Sequence, residues 1–120
     1  MKKELVFGWI LVSSLAYGTG SVTVYDSGGG FVGSYTTIQA GVNVCPNEGT
    51  VWVENGTYIG AGNKDLTWSG KKITVRSVNG VANCIIDCEH SGRGFYLYNA
   101  YDCGTISGFM IRNGYVTGGV

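Results

Sequence analysis

Proline is all but missing from this chain of 120 residues, with Pro46 the only one. That excludes a proline-rich linker. Charge is scarce as well. Asp, Glu, Lys and Arg make up 13% of the residues, about half the usual share of ~25%. Eight basic side chains balance eight acidic ones. A nucleic-acid binder normally carries a basic surface, so that class of partner is set aside. Histidine occurs once, at His90, and the C-x3-C spacing of Cys84 and Cys88 has no second pair to complete four ligands. A zinc centre is therefore not expected. No apolar run reaches the roughly 20 residues of a membrane-spanning helix. The longest, Leu5 to Ala16, follows Met1-Lys2-Lys3 and ends in Ser14-Leu15-Ala16, small residues where a signal peptidase reads. Residues 1–16 thus read as a cleaved signal peptide of bacterial type. The mature chain is then secreted or held at the cell surface, with no membrane span.

An oxidising compartment permits disulfides. Cys45, Cys84, Cys88 and Cys103 allow three full pairings, and sequence does not choose among them. Buried free thiols are the equal alternative, cysteine being well suited to a core.

What is abundant is glycine, with 21 residues, beside an apolar content of 44%. That mix suits short strands joined by tight turns around a core. In 17–35, Ser21 to Tyr25 alternate, Asp26-Ser27-Gly28-Gly29-Gly30 turn the chain, and Phe31 to Tyr35 pair back as a hairpin. In 36–46 the period changes. Thr36 as N-cap and Gln39 three residues on fit a capping box. Ile38, Gly41, Val42 and Cys45 then form one helical stripe that Pro46 stops. So short a helix is marginal alone and is expected to rest on the first strands as a cap.

From 47 to 120 short strands recur. Val51-Trp52-Val53, Ile73-Thr74-Val75 and Phe95-Tyr96-Leu97 follow at equal steps, 51 to 73 and 73 to 95, each of 22 residues. In each the outer residues are apolar, and the middle one, Trp52, Thr74 or Tyr96, faces the other way. A fixed step near 20 residues is what stacked coils produce, so the spacing predicts an all-β solenoid. Asn55-Gly56, Asn79-Gly80 and Asn113-Gly114 mark its turns. Tyr115 to Val120 supply no charged or helical cover. The C-terminal end is therefore expected to stand open and to associate end to end.

Tyr35-Thr36-Thr37-Ile38-Gln39-Ala40-Gly41-Val42, followed by Gly49-Thr50-Val51-Trp52-Val53-Glu54-Asn55-Gly56-Thr57-Tyr58, resembles the opening of right-handed parallel β-helix proteins of the pectin-lyase-like superfamily. There a T-I-Q-x-A-V helix caps the barrel and a G-T-V-x-V-x-x-G-x-Y strand starts the first coil. Gly41 departs from that pattern by one inserted position. Lys72 to Ser77, Cys84 to Cys88 and Ile106 to Gly114 look like coils of the bacterial β-helix-repeat surface proteins. The resemblance covers roughly 35–120. It implies a right-handed parallel β-helix with a short N-terminal capping helix, two to three coils and an open C-terminal end. For activity it spans lyases, esterases, hydrolases and adhesins.

Lyases of that superfamily hold calcium on clustered carboxylates. Asp65 and Asp87 are also 22 residues apart and are expected to sit on adjacent coils, ~4.8 Å apart, where they could share a Ca²⁺ ion. No other cofactor is implied. Arg76, Arg93 and Arg112 could meet sugar acids, although Arg93, in the turn Ser91-Gly92-Arg93-Gly94, reads as solvated. No carboxylate pair suits glycoside hydrolysis, and no nucleophile accompanies His90, so no catalytic residue is assigned. The aromatic residues carry the remaining signal. Trp52 and Tyr96 are expected on one outward face, with Tyr98 above Arg76. Such flat strips stack against sugar rings. The sequence thus points to a secreted or cell-surface scaffold that binds polysaccharide or cell-surface glycan, adhesin-like and non-catalytic in this segment. Two alternatives stand beside it. One is the N-terminal part of a polysaccharide-active enzyme (lyase, esterase or hydrolase) whose site lies on further coils. The other is a subunit that self-assembles through its open end.

Overall fold

The computed structural model describes residues 21–98 and 101–117. The signal-peptide reading falls on 1–16, outside the described residues. In chain order the elements are β1 (Val22–Tyr25), β2 (Phe31–Tyr35), α1 (Ile38–Val44), β3 (Thr50–Val53), β4 (Gly56–Tyr58), β5 (Ile73–Ser77), β6 (Cys84–Asp87), β7 (Gly104–Ser107) and β8 (Met110–Arg112). A five-stranded mixed sheet has the order β2-β1-β3-β5-β7, and a three-stranded parallel sheet has the order β4-β6-β8.

Alternation builds the core. Val22 and Val24 of β1, Val51 and Val53 of β3, and Ile73 and Val75 of β5 are fully or almost fully buried. Cys84 and Ile86 of β6 meet them from the second sheet in one apolar cluster, with Tyr58, Leu66 and Trp68. The turn after β1 is closed by Asp26, whose carboxylate accepts the N–H groups of Gly28 (3.0 Å) and Gly30 (2.7 Å). β2 then returns antiparallel to β1, while the other edge of β1 pairs antiparallel with β3.

The helix begins one residue later than the capping-box reading places it. Thr37, not Thr36, is the N-cap, accepting the Ala40 N–H at 3.2 Å. Gln39 does not reach back to the cap. Its side chain pairs twice with Thr67, donating to the carbonyl (2.8 Å) and accepting from the N–H (3.0 Å). Ile38, Gly41 and Val42 are buried. Gly41 is required by closeness: a Cβ there would lie 2.6 Å from Val22 and 3.3 Å from Val51. At the helix C-terminus, Lys71 donates to the carbonyls of Val42 and Cys45, both at 2.6 Å. Those are carbonyls that a helix end otherwise leaves unpaired.

The all-β parallel β-helix of two to three coils, expected from the 22-residue step and from the family resemblance, is corrected by this topology. The described residues form a small compact globule of two sheets and one short helix, with no closed or curled solenoid and no repeat among them. Two observations overturn the expectation. First, β1 is antiparallel to both of its neighbours, so the larger sheet is mixed. Second, the spacing is not constant. Thr50 pairs with Thr74 and Ile73 with Gly104, while Gly56 pairs with Cys84 and Ile85 with Met110. Steps of 24, 31, 28 and 25 residues are loops of unequal length, not copies of one unit. Phe95-Tyr96-Leu97, the expected third strand, contributes only an isolated bridge from Phe95 to Leu66. Its place in the five-stranded sheet is taken by β7.

The two last strands are the least covered. Ile106 lies opposite Val75, and Ile111 opposite Ile86. Their partners are fully buried, yet Ile106 is 37% and Ile111 47% exposed. Among the described residues, each of β7 and β8 is an edge strand.

Candidate functional site

The outward face of the five-stranded sheet is set by the same alternation that fills the core. In β3, Trp52 stands between two buried valines, and in β5 Arg76 stands between buried Val75 and Ser77. The parallel register aligns Trp52 with Arg76. In-register strands ~4.8 Å apart bring same-face side chains together, and the Arg76 guanidinium lies 4.5 Å above the Trp52 ring centre. The row continues to Thr23 and Ser34 on one side and to Ser107 on the other. A second row runs Phe31, Tyr25, Thr50, Thr74, Thr105, with the Tyr25 and Phe31 rings edge to face at 6.1 Å. The face is thus an aromatic–guanidinium platform bordered by hydroxyls.

Tyr96 and Tyr98 lie elsewhere. They follow Phe95, whose bridge to Leu66 turns its ring onto Trp68 and Phe109. Tyr96 faces outward, stacked on Tyr98 with ring centres 6.2 Å apart, and the Arg93 guanidinium lies 4.3 Å over Tyr96. The expected strip is therefore two patches. Trp52 meets Arg76 instead of Tyr96, and Tyr98 meets Tyr96 instead of Arg76. Arg93, read from the sequence as solvated, anchors the second patch. Its signal is present in Arg93-Gly94-Phe95-Tyr96: a cation three residues before an outward aromatic.

The two candidate metal ligands have separate partners. Asp87 accepts from the Glu89 N–H (2.9 Å), the Asn113 amide (2.9 Å) and Arg112 Nε (3.2 Å). The Asn113 bond above all, then the Glu89 N–H and Arg112, hold its carboxyl below the ordinary value. Asp65 accepts the Arg93 N–H at 2.9 Å. Among the described residues, no three His, Cys, Asp or Glu side chains are grouped to hold a metal ion.

All four cysteines are free thiols, with Cys45, Cys84 and Cys88 buried and Cys103 half-buried. Burial, and then the charge of Glu54, pushes the Cys84 thiol up to about 11. Burial likewise raises Cys45 and Cys88. Such thiols stay protonated and do not serve as nucleophiles at neutral pH. Burial also raises the Tyr58 phenol, which donates to the Glu54 carbonyl at 2.9 Å. It acts as a brace between β4 and the strand before it.

No family model, no curated protein and no solved structure matches this chain.

Proposed function

We propose that this chain is a binding module of a secreted or cell-surface protein, that it recognises polysaccharide, and that it performs no chemistry of its own. The observation that carries the reading is the Trp52–Arg76 platform. Its indole is half-buried and so held in place. Its ring carries a guanidinium at 4.5 Å, and Thr23, Ser34 and Ser107 extend its row. Arg76 covers one face of the indole, and the ring's remaining exposed surface beside guanidinium and hydroxyl donors is the chemistry that a pyranose ring needs, with its C–H face on the indole and its hydroxyls on those donors. The test is binding to a panel of immobilised polysaccharides. Trp52→Ala should weaken binding at least tenfold, which corresponds to ~1.4 kcal/mol, with Arg76→Ala weaker in effect. Undiminished binding by both variants would remove the platform from the reading.

A second reading has its own observation. Ile106 and Ile111 are 37% and 47% exposed at inward positions of two edge strands. Unpaired edges with apolar side chains recruit further strands. We therefore propose self-association through β7 and β8, and Ile106→Lys with Ile111→Lys should abolish it. Sedimentation across a wide concentration range is the measurement, and a monomer at every concentration refutes it.

A further inference from the structure

A second concavity lies away from the sheet platform. Three separate segments form it: the residues before Leu66, the turn after β6, and the stretch after β8. Their backbones are tied to one another. Gly92 and Tyr115 exchange N–H···O bonds of 2.9 and 2.7 Å, His90 donates to the Asn113 carbonyl at 2.8 Å, and the Arg93 N–H meets the Asp65 carboxylate. The result is an open groove of about 460 Å³ lined by Asp65, His90, Ser91, Arg93, Tyr115 and Thr117, among others.

The groove holds charges of both signs that do not satisfy each other. Asp65 uses one carboxylate oxygen on the Arg93 backbone. The other rests against the Cα of Gly92, where only a glycine leaves room. The Arg93 guanidinium lies over the Tyr96 ring at 4.3 Å. That contact occupies the face of the guanidinium and leaves its N–H edge for hydrogen bonding. Among the described residues, neither side chain forms an ion pair. Among the described residues, five non-glycine residues adopt left-handed backbone; of these, Asp65 and His90 line this groove, and Glu89 and Asn113 stand beside it.

We propose that this groove binds a small zwitterion, with the carboxylate of the ligand on Arg93 and its ammonium on Asp65. The Ser91 and Thr117 hydroxyls and the Tyr115 ring complete the walls. A neutral sugar offers neither charge a counter-charge, whereas a zwitterion carries both in one molecule. Exposed ion pairs are individually weak, so binding is weak and depends on having both charges in one molecule. The inference is independent of the glycan platform, since it uses other residues on another part of the surface.

The test is an amide-shift titration of the isotope-labelled protein with L-alanine, beside three partial probes: glucuronate for the carboxylate alone, glucosamine for the ammonium alone, and glucose for neither. Saturable shifts at Gly92, Arg93 and Tyr115 with L-alanine are expected, at least twofold tighter than with any partial probe. Asp65→Asn keeps an oxygen for the Arg93 N–H, and Arg93→Gln changes an exposed side chain. Each should raise the Kd for L-alanine at least twofold while leaving distant amides unshifted. Should Asp65→Asn disturb the fold, Arg93→Gln alone decides. Absence of saturation with L-alanine, equal binding of glucose, or unchanged affinity in the variant overturns the proposal.

Discussion

Gly41→Ala sets two opposed effects against each other, and the geometry of the helix decides between them. Gly41 sits in the interior of α1 with ordinary helical backbone. On propensity alone, alanine should stabilise a helix interior by ~1 kcal/mol. The added methyl has no room, however. It would stand 2.6 Å from Val22, 3.3 Å from Val51 and 3.4 Å from Val24. All three valines are fully buried, on two paired strands, so none can swing toward solvent. Overpacking of this kind costs about 1–3 kcal/mol. The clash outweighs the propensity, and the net expectation is a loss of up to roughly 2 kcal/mol. In a domain of this size that is a fall of several degrees in Tm. Urea denaturation should show a lower midpoint at unchanged slope. The decisive measurement is the double variant with Val22→Ala, which removes the methyl that the new side chain would strike. Its loss should be smaller than the sum of the two single losses by a coupling of at least ~0.5 kcal/mol. A stabilised Gly41→Ala, or strict additivity with Val22→Ala, would refute the close-approach argument.

Ile73→Asp should leave the chain unfolded, since Ile73 is 1% exposed and burying an unpaired charge costs several kcal/mol against a total of ~5–15. Thr74→Asp, one residue on and outward, should fold, and circular dichroism melts distinguish the two. Asp87 has a depressed folded pKa. Its contribution to stability is therefore complete above the unfolded carboxylate value of ~4 and is lost as pH falls through the folded value. The gap in urea midpoint between wild type and Asp87→Asn should accordingly shrink on acidification below about pH 4, and a gap independent of pH contradicts it. In native-state alkylation at pH 8, Cys103 should react first and Cys84, with its thiol pushed up to about 11, far more slowly. Equal rates at both would mean that Cys84 is not shielded as described.

Single residues show which parts of this fold are legible in the sequence. The inward set is legible, because Val51, Val53, Ile73 and Val75 alternate with polar or amphipathic neighbours, and period 2 is a local property. The pairing is not. Thr50 lies beside Thr74, a step of 24, and nothing in V-W-V or I-T-V distinguishes a step of 22 from one of 24, since both keep inward residues inward. Phe95-Tyr96-Leu97 copies the pattern of a strand, but its backbone bonds are committed elsewhere: the Tyr96 N–H goes to the Leu66 carbonyl. The two antiparallel neighbours of β1 leave no mark in its sequence, because V-T-V-Y suits either direction. Trp52, Arg76, Tyr96 and Tyr98 are all identifiable as outward residues, but a constant step joins them in the wrong register. The groove at Asp65, His90 and Arg93 depends on loops of unequal length converging, which a one-dimensional spacing does not encode.

The hydrogen bonds around α1 have a consequence for how the molecule opens. Ile38 at its start donates to the Asn63 side chain and Gln39 to the Gly62 carbonyl; Gln39 clasps Thr67; Lys71 holds the last turn. Every one of these partners lies within 62–71, a loop well separated from the helix along the chain. A seven-residue helix has little persistence alone, so besides the β1 and β3 side chains beneath it, its ends depend on that loop being in place. Helix and loop should therefore exchange their amide hydrogens with one common opening free energy, as a single cooperative unit. A protease that nicks the loop would melt the helix without ever touching it. During synthesis the segment 38–44 would wait, unstructured, until Lys71 had emerged to close its final turn.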